Sequence, residues 1–164
     1  MKLNEKELIK ALMGNDFNDI KSIIGSAGIN STDRDNRSIL MNCIIENKID
    51  FIKELLSYEG IDLNIQDNNG YSALHFAVQN GNLDVVSLLL ENKADIDVQD
   101  NWGNTPLWRS VNNYPDNREI INILIKYGAN PEIKNNSGIS AMQIMKEDTV
   151  SGDYDYSDIF TSMK

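Results

Sequence analysis

Apolar positions in this chain come in short helical bursts separated by turn-forming clusters, and residues 67–99 show the pattern most cleanly. Asp67-Asn68-Asn69-Gly70 is turn chemistry, with Asn-Gly a strong short-range hairpin signal. Ser72 follows where a hydroxyl can cap the first exposed amides of a helix. Leu74, Ala77 and Val78 then fall at i, i+3 and i+4, which predicts a helix over Ala73–Gln79. Asn80-Gly81-Asn82 breaks it, and Val85, Val86, Leu89 and Leu90 predict a second helix over Leu83–Glu91.

The same turn-and-helix pattern recurs along the chain. It reads DRDNRSILMNCI from Asp33, DNNGYSALHFAV from Asp67, DNWGNTPLWRSV from Asp100 and NNSGISAMQIMK from Asn135, a spacing of 33 to 35 residues. A fixed period of that size is the signature of repeat architecture. One unit is too small to bury its own apolar face, so stability must come from stacking on its neighbours. Residues 33–66, 67–99 and 100–134 are three units of this kind. In the first, Asn36 stands where the others have glycine; Asn is the residue besides Gly that best tolerates a left-handed turn. Residues 1–32 read as a degenerate leading unit. Leu8, Ile9, Leu12 and Met13 form one amphipathic face, Phe17, Ile20, Ile23 and Ile24 the next, and Lys2, Glu5, Lys6 and Lys10 supply the polar outer face that a terminal cap needs. Residues 135–164 read as a divergent closing unit. Within it an acidic stretch, 147–158, is expected to be a solvated, mobile tail or to contact a basic surface. A short helix from about Asp158 to Met163 would set Ile159 and Phe160 on the stack.

The second unit resembles the ankyrin repeat, approximately D-x-x-G-x-T-P-L-H-x-A-A-x-x-G-x-x-E-x-V-x-x-L-L-x-x-G-A-D. Asp67, Gly70, Ser72 in the Thr slot, Leu74, His75, Ala77, Gly81, Val86, Leu89, Leu90, Ala94 and Asp95 carry the match. The third adds Asp100, Gly103, Thr105-Pro106-Leu107, Ile121, Leu124, Ile125 and Gly128-Ala129-Asn130. The resemblance implies an all-α solenoid of stacked helix-turn-helix units joined by β-hairpin-like turns. It also implies a concave face, built from hairpin tips and first helices, that binds another protein. The positions that vary between units on that face are Arg34, Asp35 and Arg37; Asn68, Asn69 and Tyr71; Asn101, Trp102 and Asn104; and Asn136, Ser137 and Ile139. Ile45, Glu46, Gln79, Asn80, Asn112 and Asn113 lie at the first-helix ends, and Tyr114 stands in an interhelix loop lengthened by two residues relative to the second unit. Trp102 is the sharpest of these, since a hairpin tip has little core to bury an indole and Trp and Tyr dominate binding hot spots. Packing on an adjacent finger, against Tyr71, is the alternative. Trp108, in the histidine slot, is expected to pack between helices.

Composition narrows the function further. The 25 acidic and 15 basic residues give a formal charge of −10, which disfavours nucleic acid and anionic lipid and would steer towards a basic partner, or serve only solubility. No apolar run approaches the length of a membrane span. The N-terminal segment lacks the uninterrupted hydrophobic core of a secretory signal. A single cysteine, Cys43, excludes an internal disulfide and fits a cytoplasmic location. Cys43 occupies a small-residue slot on a first helix, and His75, the only histidine, is expected to bond neighbouring loops. Neither a nucleophile–base pair nor a metal ligand set nor a cofactor loop is legible, so a non-catalytic protein with no cofactor is expected. The function expected is a monomeric protein-binding module. Alternatives are an acidic inhibitor or immunity-type protein against a basic toxin or enzyme, and a scaffold or assembly subunit.

Overall fold

The computed structural model describes residues 3–162, so the Lys2 and Met163 expectations fall outside the described residues. Among the described residues, ten helices form five consecutive pairs: α1 (Glu5–Gly14) with α2 (Phe17–Ala27), α3 (Ile39–Ile45) with α4 (Ile49–Leu56), α5 (Ala73–Gln79) with α6 (Leu83–Glu91), α7 (Pro106–Asn113) with α8 (Arg118–Lys126), and α9 (Ala141–Ser151) with α10 (Ser157–Ser162). The first helices pack in series, α3 on α5, α5 on α7 and α7 on α9, while α4, α6 and α8 form a second row. The core runs between the rows through Ile39, Leu40, Ile44, Leu74, Ala77, Leu89, Leu107, Val111, Ile121 and Leu124, all buried. The helices at Ala73–Gln79 and Leu83–Glu91 have the bounds that the periodicity predicts.

Each first helix of the repeats starts on a hydroxyl residue. Ser38 Oγ accepts from Met41 N at 3.2 Å, Thr105 Oγ1 from Trp108 N at 3.1 Å and Ser140 Oγ from Gln143 N at 3.2 Å. Such caps satisfy amides that a helix start leaves unpaired. Ahead of each cap stands a turn organised by its first residue. Asp67 Oδ1 accepts from Asn69 N (2.8 Å) and Tyr71 N (2.9 Å), and Asp33, Asp100 and Asn135 repeat the arrangement. Asn36 takes φ 63° where its counterpart Gly70 takes φ 79°, so the substitution keeps the left-handed turn.

Successive fingers are joined by a backbone ladder: Asn68 N donates to Asp35 O (2.9 Å), Asn101 N to Asn69 O (3.0 Å) and Asn136 N to Trp102 O (2.9 Å). A glutamine ladder runs beside it, with Gln66 Nε2 donating to Gln99 O at 2.9 Å and Gln99 Nε2 to Lys134 O at 3.1 Å. At the far ends of the units a third seam joins Asp62 N to Asn30 Oδ1, Asp95 N to Asn64 Oδ1 and Asn130 N to Asp97 Oδ1.

Two expectations change at the ends of the stack. In α1 the buried face is Leu8, Ala11 and Leu12, while Ile9 and Met13 are 56% and 80% exposed because they lie on the flank away from the core. The acidic stretch is not a solvated tail. It completes α9 and then folds back, with Tyr156 fully buried, Ile159 buried and Tyr156 N donating to Thr149 Oγ1 at 3.0 Å. Arg118 locks the return: Nη1 donates to Asp155 O and Nη2 to Asp158 Oδ1, both at 2.5 Å, and its guanidinium lies 5.1 Å from the Tyr156 ring centroid. Burying two apolar side chains holds the acidic residues against the array, and the carboxylates remain at its surface.

Candidate protein-binding face

The variable positions divide by what their side chains already do. Asn68, Asn101 and Asn136 are not buried, yet each carboxamide reaches back one finger, to Arg34 O (3.3 Å), Asn68 O (2.9 Å) and Asn101 O (3.0 Å). Arg34 N and Nε lie 3.2 and 3.6 Å from Glu5 Oε1, and Arg37 Nη1 lies 3.6 Å from Asp35 Oδ2. Asn104 differs from the rest of the set: it is 4% exposed, because Asn135 Nδ2 donates to its Oδ1 (2.9 Å) and Asp100 Oδ2 accepts from its amide (3.4 Å). It therefore fastens the third finger to the fourth and does not reach the surface. Asn69, Asn112, Asn113, Ser137 and Ile139 are exposed.

The remaining positions converge. Tyr71 stacks on His75 with ring centroids 5.4 Å apart and 7° between planes, and meets Phe76 and Trp102 edge-on at 5.6 and 6.3 Å. Trp102 does pack on the neighbouring finger, through Tyr71, and still leaves 51% of its surface open. Between the rings lies Arg109, its guanidinium 5.1 Å from the Tyr71 centroid and 5.5 Å from that of Trp102. Stacking of this kind orients both partners. Nε and Nη2 of Arg109 both donate to Asp100 Oδ2, at 2.8 and 2.6 Å, and the Asp100 side chain is fully buried. Trp108 is half-buried against the core, as its slot implies, and also lies beside Arg109, at 6.0 Å.

His75 forms a wall of this region. Its Nε2 meets a carbonyl, Asn104 O, at 3.1 Å and must donate to it, so Nδ1 is the acceptor for Ser72 N at 3.2 Å. Burial, which favours the neutral ring, holds its pKa below the ordinary imidazole value, and the bond to the Asn104 carbonyl offsets part of that shift. A cavity of about 50 Å³ opens beside it, lined by Tyr71, His75, Gln79, Arg109, Asn113 and Tyr114. The extra length of the third unit contributes directly here: one residue extends α7 to Asn113 and one enlarges the loop that presents Tyr114, itself 36% exposed.

Arg109 escapes sequence reasoning, although a signal for it exists. It stands nine residues after Asp100, as Asn42 stands nine after Asp33, and Asn42 Nδ2 donates to Asp33 Oδ2 at 3.0 Å. In the second unit the equivalent residue is Phe76, and Asp67 Oδ2 has no hydrogen bond among the described residues; Arg37 Nε approaches to 3.8 Å. Cys43 is buried and burial pushes its thiol up to about 12, so it is a packing residue without thiolate character at neutral pH. Among the described residues no group of three or more His, Cys, Asp or Glu side chains could hold a metal ion, and no helix is long and apolar enough to cross a membrane.

Comparison with known proteins agrees with this architecture. A family model described as "Ankyrin repeats (3 copies)" matches residues 2–100, and one described as "Ankyrin repeat" matches residues 102–136. The chain is 37% identical over 101 residues to human "BCL-6 corepressor-like protein 1", covering 62% of this chain and 6% of that protein. It is 42% identical over 90 residues to "Serine/threonine-protein kinase 12" of Arabidopsis thaliana, covering 55% and 19%. It is 38% identical over 88 residues to "Ankyrin repeat-containing protein P1E11.10" of Schizosaccharomyces pombe, covering 53% and 40%. The chain thus spans less than half the length of each of these relatives.

Proposed function

We propose, from the premise that this chain belongs to the ankyrin-repeat family, that it captures a partner protein on the face made by its finger tips and first helices. Ankyrin repeats are protein–protein interaction modules, and the family is generally non-catalytic. The observation that carries the assignment to this face is the half-exposed Trp102, set with Tyr71 and Tyr114 around Arg109. An indole left open to solvent on a framework of paired hydrogen bonds loses little conformational entropy on binding, which is the character of an interaction hot spot. Arg34, Asp35, Arg37, Asn69, Asn112, Asn113, Ser137 and Ile139 form the surround of that centre. The test uses the triple variant Arg37→Ala, Tyr71→Ala, Trp102→Ala, titrated against a partner isolated on the wild-type protein. Loss of binding with unchanged helicity is expected, and wild-type affinity in the triple variant would refute the assignment.

A second reading rests on the distribution of acid. Asp116, Asp148 and Asp153 gather around Tyr154 at the C-terminal end of the stack. Burial, and then the neighbouring Asp153 and Glu147, raise the pKa of Asp148. Together with the charge of −10, this favours a basic protein docking at that end, as an inhibitor or immunity-type protein would require. Binding that weakens steeply with salt and with Asp148→Asn and Asp153→Asn, while ignoring Trp102→Ala, would support this reading; indifference to all three changes would reject it. In either case a monomer is expected, and a buried, unpaired cysteine suits a reducing compartment such as the cytoplasm.

A further inference from the structure

The cavity beside Arg109 has a lining with an unusual balance. Arg109 is the only charged group among the described residues that line it, and Asp100 already matches that charge at 2.6 Å. A lysine or arginine of a partner would find no free carboxylate there. An aspartate or glutamate would compete with Asp100 for a guanidinium that is already paired. Burying either without a counter-charge carries a desolvation cost with nothing to offset it. The occupant that suits the lining is therefore uncharged.

Hydrogen bonding narrows it further. Asn113 Oδ1 is occupied by Asn112 Nδ2 at 2.7 Å, while the Asn113 amide nitrogen has no acceptor among the described residues. Gln79, across the cavity, has its whole carboxamide unpartnered there. Arg109 Nη1 makes none of the bonds to Asp100. Over these three side chains, N–H donors outnumber free carbonyl oxygens, and the hydroxyls of Tyr71 and Tyr114 can serve either way. An extended peptide with ordinary residues brings equal numbers of N–H and C=O groups, whereas a proline segment brings carbonyls and no N–H. Tyr71 is already engaged by His75 and Arg109, but the exposed rings of Trp102 and Tyr114 supply flat apolar surfaces on which pyrrolidine rings stack, and a polyproline II helix arrives preordered, with little entropy to lose.

We infer that this cavity and its aromatic rim bind an uncharged, proline-rich segment of the partner protein in the polyproline II conformation. The inference rests on the reading that the partner docks on this face. It assigns the ring-stacking role to Trp102 and Tyr114 and the carbonyl-binding role to Gln79 and Asn113. Arg109, neutralised by Asp100, holds the two aromatic fingers in register.

End-capped octaproline, octalysine and octaglutamate, titrated into the protein and followed by nuclear magnetic resonance, test it. Octaproline should shift the side-chain signals of Gln79, Trp102 and Asn113, with an affinity that changes less than about twofold from about 50 to about 500 mM salt. Trp102→Ala and, separately, Tyr114→Ala should each weaken it about tenfold or more, with circular dichroism confirming that both variants are folded. No shifts at these three residues with octaproline would overturn the inference, as would tighter binding of octalysine or octaglutamate at the same face. Either failure leaves the triple alanine variant above to decide separately whether the face binds a partner at all.

Discussion

Gly70→Ala is the substitution whose cost the structure specifies best. Gly70 holds φ 79°, so an alanine there meets the left-handed penalty of about 1–2 kcal/mol. Its Cβ would also stand 2.6 Å from Asn101 N and 2.7 Å from Asn101 Oδ1, contacts that real Cβ atoms do not make. The third finger must then move off the second, weakening Asn101 N to Asn69 O and Asn101 Nδ2 to Asn68 O, each worth about 0.5–1.5 kcal/mol net. The total expected is about 2–5 kcal/mol, the sum of the turn penalty and the two weakened bonds. Gly138→Ala is the internal control, since Gly138 has φ 80° and an alanine Cβ there would meet no atom within 4 Å. It should cost only the backbone term, about 1–2 kcal/mol. Urea titrations followed by far-ultraviolet circular dichroism give both values. Equal losses for the two substitutions would refute the claim that close approach of neighbouring fingers, and not turn conformation alone, requires glycine at position 70.

Arg109→Ala should destabilise by about 3–5 kcal/mol, because it leaves the fully buried Asp100 carboxylate without its cation; a loss below about 1 kcal/mol in the same urea assay would contradict the pairing. Tyr156→Phe should be close to neutral, since the buried hydroxyl has no partner among the described residues, while Tyr156→Ala should cost about 3–5 kcal/mol; equal effects would show that the acidic segment does not close the stack. His75 is held below its ordinary value of 6.5, so the unfolded chain takes up the proton first. The stability it contributes is full above about pH 6.5 and is lost as pH falls towards the folded pKa, at no more than about 1.4 kcal/mol per pH unit. His75→Asn should flatten the dependence of the urea midpoint between about pH 7 and about pH 5, and an unchanged slope would refute the assignment. Cys43 should react with a thiol reagent only after denaturation, and labelling of the native protein at neutral pH would overturn its burial.

What was legible in the sequence follows the range of the forces involved. Helix periodicity, caps and turns are local, so α5 and α6 could be placed along the chain and Asn36 assigned its left-handed turn. The exposed tryptophan was legible because a finger tip has no interior in which to hide one. Its partner Arg109 was not read, since the nine-residue spacing that lets it reach Asp100 says nothing of the rings from two units that flank it. Asn104 misleads for the same reason: its position varies between units, but its carboxamide is consumed by Asp100 and by Asn135, 31 residues away. The C-terminal segment reads as solvated on charge, and two hydrophobic anchors, Tyr156 and Ile159, outweigh the acidic and polar residues around them.

The three seams between units have a consequence for how such a chain can grow. Each uses matching donor and acceptor places at the two junctions that flank residues 67–99, so this block presents on one side what it accepts on the other: Asn68 N gives to the finger before, and Asn69 O receives from the finger after. A duplicated copy of that block would find its bonds waiting at both junctions, Asn68 of the second copy meeting Asn69 of the first. Length is thus a separable trait of this protein. A whole unit can be spliced into the array with its seam hydrogen bonds matched at both ends, while one residue added inside a finger would break the ladder at that finger.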